Sequence, residues 1–168
     1  MTTPISPERG LLRHYLAALV YRTQKAVRGA PSTFGTFQAG QQTRSPQDLV
    51  RHMTSVLGYA CTFFVGGTYR AELLPTLDEE MARFHAIVAE LADHLISGSM
   101  EGISAAQLLQ GPLADAMTHA GQIALLRRLA GSPIPPENFA YADISVDRLG
   151  PDQAPAVRPD PVWAERPG

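Results

Sequence analysis

The sequence predicts an all-α fold: a four-helix bundle with a proline-rich C-terminal extension packed on it. Three observations carry that prediction. Four stretches place apolar residues at helical spacing, start and stop residues bracket them, and no stretch alternates as a half-buried strand would. The composition agrees. A chain of 168 residues, 45% apolar and 18% charged with a net charge of −2, suits one domain with a sizeable core and excludes a disordered polyelectrolyte.

The first helix is expected over residues 6–28. Ser6 is its cap, Pro7 takes the first helical position, and Leu11, Leu12, Tyr15, Leu16, Leu19, Val20 and Val27 form its stripe. Residues 29–44 carry three glycines and a proline and read as a loop long enough to shield one end of the bundle. The second helix opens with Ser45 as cap, Pro46 next and Asp48 in the first turn. Its apolar face is Leu49, Val50, Met53, Val56, Leu57, Ala60, Phe63 and Phe64, and Gly66-Gly67 ends it.

The third helix covers about residues 76–96, with Asp78, Glu79 and Glu80 at its positive end and Gly98 as its stop. Leu77, Met81, Phe84, Ile87, Val88, Leu91 and Leu95 are its stripe. Roughly nine residues link it to the second helix. Extended, they reach about 30 Å, the length of a twenty-residue helix at about 1.5 Å per residue. A parallel crossover and an antiparallel hairpin are therefore both allowed. The fourth region, residues 104–129, is interrupted at Gly111-Pro112 and reads as a short helix before a long one, or as one kinked helix. The bundle is thus assigned to residues 1–131 and the extension to 132–168. The extension holds eight of the fourteen prolines, and Phe139, Tyr141, Ile144, Val146, Leu149 and Trp163 are expected to seat part of it on the bundle.

Several function classes are disfavoured. Thirteen arginines and the single Lys25 do not outweigh the acids, so no nucleic-acid partner is expected. Cys61 is alone, which excludes an internal disulfide and an all-cysteine zinc site. No secretion signal or membrane-length apolar run is recognisable, so no membrane partner and a cytoplasmic location are expected. Phosphate-loop and nucleophile-elbow motifs are absent.

Chemistry concentrates among five histidines. Asp115 and His119 are four apart on the last helix and share a face. His52 lies on the second helix, on the side of Val56 and Tyr59 that is expected to face the interior. Together they would make a His/Asp/His metal set with a position left open, as catalytic metals require. The alternative is a hydrogen-bonded carboxylate–histidine pair that satisfies two buried polar groups. Gln122 and Tyr59 are the candidates for contact with a bound cofactor, against a helix-packing amide and a core tyrosine. His14 and His85 read as solvated or capping groups that could approach the site. His94 reads as a cation near a helix C-terminus. Cys61 is out of phase with His52 and reads as a small buried hydrophobe.

Asp115-Ala-Met-Thr-His119-Ala-Gly121-Gln122, with Leu125, Leu126, Arg127, Leu129 and Gly131 after it, resembles the last-helix signature of the DinB/YfiT-like family. Ser45-Pro46-x-x-Leu49-x-x-His52-Met53 resembles that family's second-helix segment. The likeness spans roughly residues 10–131. It implies a four-helix bundle whose three side chains hold a divalent metal (zinc, nickel, manganese or iron), with His52 as first ligand and His119 as third. Asp115 stands where the family has a second histidine, a departure that leaves a set suited to iron(II) or manganese. The resemblance further implies a homodimer and a small-molecule substrate. The reaction would be an isomerisation or transfer using a low-molecular-weight thiol, or a hydrolysis by activated water. A non-catalytic, stress-related binding or structural dimer with a relict site stands beside these.

Overall fold

Local signals start and stop the helices. In the computed structural model, which describes residues 5–163, the Ser6 hydroxyl accepts from the Arg9 N–H and Pro7 opens α1 (Pro7–Val27). Ser45 with Asp48 and Thr76 with Glu79 form reciprocal capping boxes at the starts of α2 (Pro46–Val65) and α3 (Leu77–Ser97). A third box, Ser104 with Gln107, starts α4 (Ala105–Leu108). Gly66 leaves α2 at φ 76°, a conformation that other residues reach only with strain.

The interruption at Gly111-Pro112 resolves into one continuous helical run. α4 passes through a π turn, Leu109–Leu113, into α5 (Ala114–Leu129). Pro112 has no N–H to give to an α-helical ladder. The Ala114 N–H reaches back five residues to the Leu109 carbonyl, which widens the turn instead of breaking it.

Around the bundle, α1 packs on α3 and α5, and α2 packs on the same two helices from the opposite side. Among the described residues there are no strands, only an isolated bridge between Glu137 and Pro159. No helix among them is long and apolar enough to cross a membrane.

The open question of helix direction has a definite answer: α2 and α3 are parallel. Phe64, near the end of α2, stacks on His94, near the end of α3, with ring centroids 5.2 Å apart. At the other end the Gln47 amide donates to the Leu74 carbonyl just before α3. Residues 66–76 run back along α2 between these points. The Ser55 hydroxyl accepts from the Ala71 N–H at 3.1 Å, and the Tyr69 ring lies on Gly58, where a Cβ would come within 2.1 Å of it. Buried Glu80 fastens the end of this crossover by accepting from the Leu74 N–H at 2.9 Å while pairing with Arg83.

α1 runs against α3 and along α5. The Arg9 guanidinium donates to the Leu95 and Gly98 carbonyls at the C-terminus of α3, where the helix dipole favours a cation. Arg127, only 3% exposed, ties the ends of α1 and α5 together. It donates to the Ala26 and Arg28 carbonyls at 3.0 and 3.2 Å and to the Ser132 carbonyl at 2.8 Å. Phe34 closes this end of the bundle under the same guanidinium.

The core is the meeting line of these helices. Leu16, Met53, Leu57, Phe84, Leu91, Leu95 and Leu113 are fully buried, and each such side chain contributes about 1.5–3 kcal/mol. Two stripe assignments need correction. Leu11 is 71% exposed, because the face of α1 that meets α3 and α5 is carried by Leu12, Leu16, Leu19 and Val20. Tyr59 is 54% exposed, so the His52–Val56–Tyr59 line is the flank of α2 and not its interior face.

Beyond Ser132 the chain touches α1 at separate points. Lys25 pairs with buried Glu137 at 3.0 Å, Phe139 meets Tyr21 edge-on at 6.2 Å, and Arg28 donates to the Gln153 carbonyl at 2.8 Å. Burial and the neighbouring Glu137 push the Tyr21 hydroxyl up to about 12. Residues 164–168 of the proposed extension lie outside the described residues.

Candidate metal centre

His52 comes from the second turn of α2, and Asp115 and His119 from the first turns of α5, two residues past the π turn. The antiparallel seam of α2 and α5 brings the three together. His52 Nε2 is 3.5 Å from one Asp115 oxygen, and His119 Nε2 is 3.4 Å from the other. The two imidazoles meet edge to face with centroids 4.7 Å apart, and one ligand atom from each of the three residues lies within 4.8 Å of the other two.

The two histidine–carboxylate separations, one to each Asp115 oxygen, are close to those of donors around one ion. At metal–ligand lengths of about 2.0–2.2 Å, tetrahedral or octahedral donors stand about 3.0–3.5 Å apart. The donor chemistry fits as well, since two imidazoles and a carboxylate suit a divalent transition metal. The site is graded in depth. The His119 side chain is 10% exposed, that of His52 34% and that of Asp115 45%, so the carboxylate side opens to solvent.

Gln122 Oε1 lies 3.2 Å from His119 Nδ1. An acceptor there calls for a proton on Nδ1, which leaves the Nε2 lone pair facing Asp115. Gln122 is therefore in contact with the site, though its side chain sits on an exposed position. The His52 imidazole is held below its ordinary pKa, chiefly by burial and then by the charges of Arg44 and His119, with Asp115 acting the other way. A neutral imidazole is the form that ligates a metal.

Two clefts flank the trio, and Ser55 borders both. One, about 770 Å³, is walled by His52, Arg44, Arg51 and Arg70. The other, about 650 Å³, is walled by Asp115, Val56, Tyr59 and Pro112. Tyr59 thus stands at an apolar mouth beside Asp115, with its ring against Phe63 at 5.0 Å.

The remaining histidines stay apart from the trio. His14 is exposed on α1. His85 is half-buried with Nε2 unpartnered, and borders a cavity beside Val27, Asp78 and Met81 near the other side of the bundle. That burial lowers its pKa, which corrects the reading of a solvated or capping group.

A second group is one that sequence reasoning missed. Cys61 of α2 meets Glu90 and His94 of α3, again with one ligand atom from each within 4.8 Å of the others. The signal was present as Glu90 and His94 four apart, but it needed the parallel pairing of α2 and α3 to become visible. Burial, and then Glu90, push the Cys61 thiol up to about 12, so it is protonated at neutral pH. The cleft arginines were also missed, because Arg44 sits in a loop and Arg70 in the crossover, far apart in the chain.

Comparison with family models, with curated proteins and with solved structures gives no match to the chain.

Proposed function

We propose that the protein is a divalent-metal-dependent enzyme acting on a small molecule, of the DinB-like kind its motifs resemble. His52, Asp115 and His119 hold the ion. The observation that carries this reading is their convergence from two helices at separations an ion can span, with a cleft on either side. Iron(II) or manganese(II) suits the set best, with zinc and nickel as competitors. When bound, such an ion lowers the pKa of a coordinated thiol or water.

The chain's own residues do the rest of the work. Gln122 holds His119 in the ligating tautomer. The half-exposed Asp115 leaves an approach from solvent. Tyr59 borders the apolar cleft, which supports its role as a contact for cofactor or substrate. Buried Cys61 is no nucleophile, so thiol chemistry draws on a low-molecular-weight thiol from outside. The proposed class is accordingly a thiol-dependent transferase or isomerase, with a hydrolase using the same residues.

Metal content of untagged protein tests the reading, before and after exposure to zinc, nickel, manganese and iron. Near-stoichiometric metal is expected, and H52A and D115A each lose it with the helical CD signal unchanged. No bound metal under any condition overturns the proposal. Loss of helical signal in both variants assigns the trio to structure. The loaded protein is then assayed on electrophiles with thiols and on esters without them, which separates transferase from hydrolase. The homodimer belongs to the same proposal. Leu125 and Leu129 are 51% and 57% exposed on α5, and light scattering decides whether a second copy covers them.

A further inference from the structure

The cleft beside His52 has a charge pattern that the metal reading does not use. Arg51 is engaged, donating to Asp48 at 2.8 Å, and Asp48 also accepts from the Ser45 hydroxyl. Arg44 and Arg70 make no ion pair and no side-chain hydrogen bond among the described residues. Among the described residues, Glu72 is the one acid of the cleft left without a side-chain partner, so a positive charge is in surplus. Arg44 is near enough to His52 for its charge to act on the ring. Two guanidiniums with open donors at the wall of a cleft are the arrangement that recognises a planar or tetrahedral anion.

The other cleft differs in kind. Val56, Tyr59, Pro112 and Ala114 give it an apolar lining, and Asp115 is the only charged group lining it among the described residues. The two clefts meet at Ser55, on either side of the trio.

We infer that the ligand of this site is a small amphipathic anion. Its carboxylate or phosphate rests on Arg44 and Arg70, its apolar body lies over Val56, Tyr59 and Pro112, and its middle faces the His52–Asp115–His119 trio. The inference rests on the proposed function for what the trio does, and on the two clefts alone for what it selects. An anion placed there also offsets the surplus charge beside His52, while the apolar body displaces water from the mouth.

Binding of 4-phenylbutyrate, its uncharged amide and phenyl phosphate to full-length protein, followed by calorimetry, tests this. Metal content is measured on the same samples. At least one anion is expected to bind about tenfold or more tighter than the amide, one charge-assisted contact's worth. Which anion wins assigns carboxylate or phosphate. R44A/R70A is expected to bring that preference to about twofold or less, because the donors are gone while the apolar cleft remains. Val56→Asp is expected to weaken all three probes. Equal binding of anion and amide, no binding of any probe, or a preference that survives in R44A/R70A overturns the inference. In the last case the anion sits on the trio itself. Metal loading with no anion preference sinks the inference and leaves the enzyme proposal standing. Anion preference without metal does the reverse.

Discussion

Replacing Arg127 with methionine tests whether one buried guanidinium holds two helix ends together. Methionine keeps the apolar stem and removes the charge and every donor. The wild-type fork supplies Nε to the Ser132 carbonyl at 2.8 Å, one terminal nitrogen to the Ser132 hydroxyl at 3.0 Å, and the other to Ala26 and Arg28 at 3.0 and 3.2 Å. Hydrogen bonds from a charged donor are worth about 1.5–3 kcal/mol each. Against this stands the cost of desolvating the guanidinium, several kcal/mol, visible in the lowered pKa that burial gives it. Some of the abandoned carbonyls also regain water. The balance is a loss of about 2–4 kcal/mol, or about 5–15 °C in Tm for a chain of this size. Lysine cannot reach both helix ends and leaves a buried charge poorly paired, so R127K is expected to be no better than R127M. Urea unfolding followed by CD measures both. A methionine variant within about 0.5 kcal/mol of wild type, or a lysine variant equal to it, refutes the reasoning.

Gly58→Ala places a Cβ within 2.1 Å of the Tyr69 ring and is expected to cost about 1–3 kcal/mol. In a Tyr69→Ala background the same change becomes neutral or stabilising by up to about 1 kcal/mol, since only helix propensity is left; a double-mutant cycle reads the coupling. Gln122→Leu frees the His119 tautomer and is expected to weaken metal binding about tenfold, the low end for an outer partner, because the side chain is exposed; chelator competition measures it, and unchanged affinity removes Gln122 from the site. His85 contributes to pH dependence with a known sign. Its folded pKa lies below the unfolded value, so the unfolded chain takes the proton first, and stability falls as pH drops through about 6.5 and on towards the folded pKa. His85→Gln is expected to flatten that part of the stability–pH curve, and an unchanged difference between pH 7 and pH 5 argues against it.

The helices were legible because their signals are local. Ser45-Pro46-x-Asp48 and Thr76-x-x-Glu79 close hydrogen bonds within four residues, so the sequence alone locates both starts. The direction of α3 was not legible. Its linker reaches equally well either way, and the decision rests on Gly58 admitting Tyr69 and on Glu80 receiving the Leu74 N–H. Both are contacts between distant residues. The trio was readable as a set of residue types, and the α2–α5 seam brings its members together. The depth of each of the three side chains was not readable, because α2 faces the core with Leu49, Met53 and Leu57 and turns His52 only partly inward. Arg127 was readable as part of a motif, but its role is a tertiary contact with α1 that helix spacing does not encode.

The crossover over residues 66–76 divides the molecule's tasks between two kinds of chain. The His52–Asp115–His119 trio stands on helices whose register is locked by the core, so changes there risk stability. Arg70 and Glu72 stand on an extended strap that α2 holds at Ser55 and Gly58. Both positions are exposed, on either side of buried Ala71, and can be exchanged without disturbing a core side chain. The charge of the cleft is thereby open to redesign at these two positions, while the trio beside it stays in place. Exchanging Arg70 and Glu72 on the same strap tests the proposed anion preference without altering the contacts that fix the direction of α3.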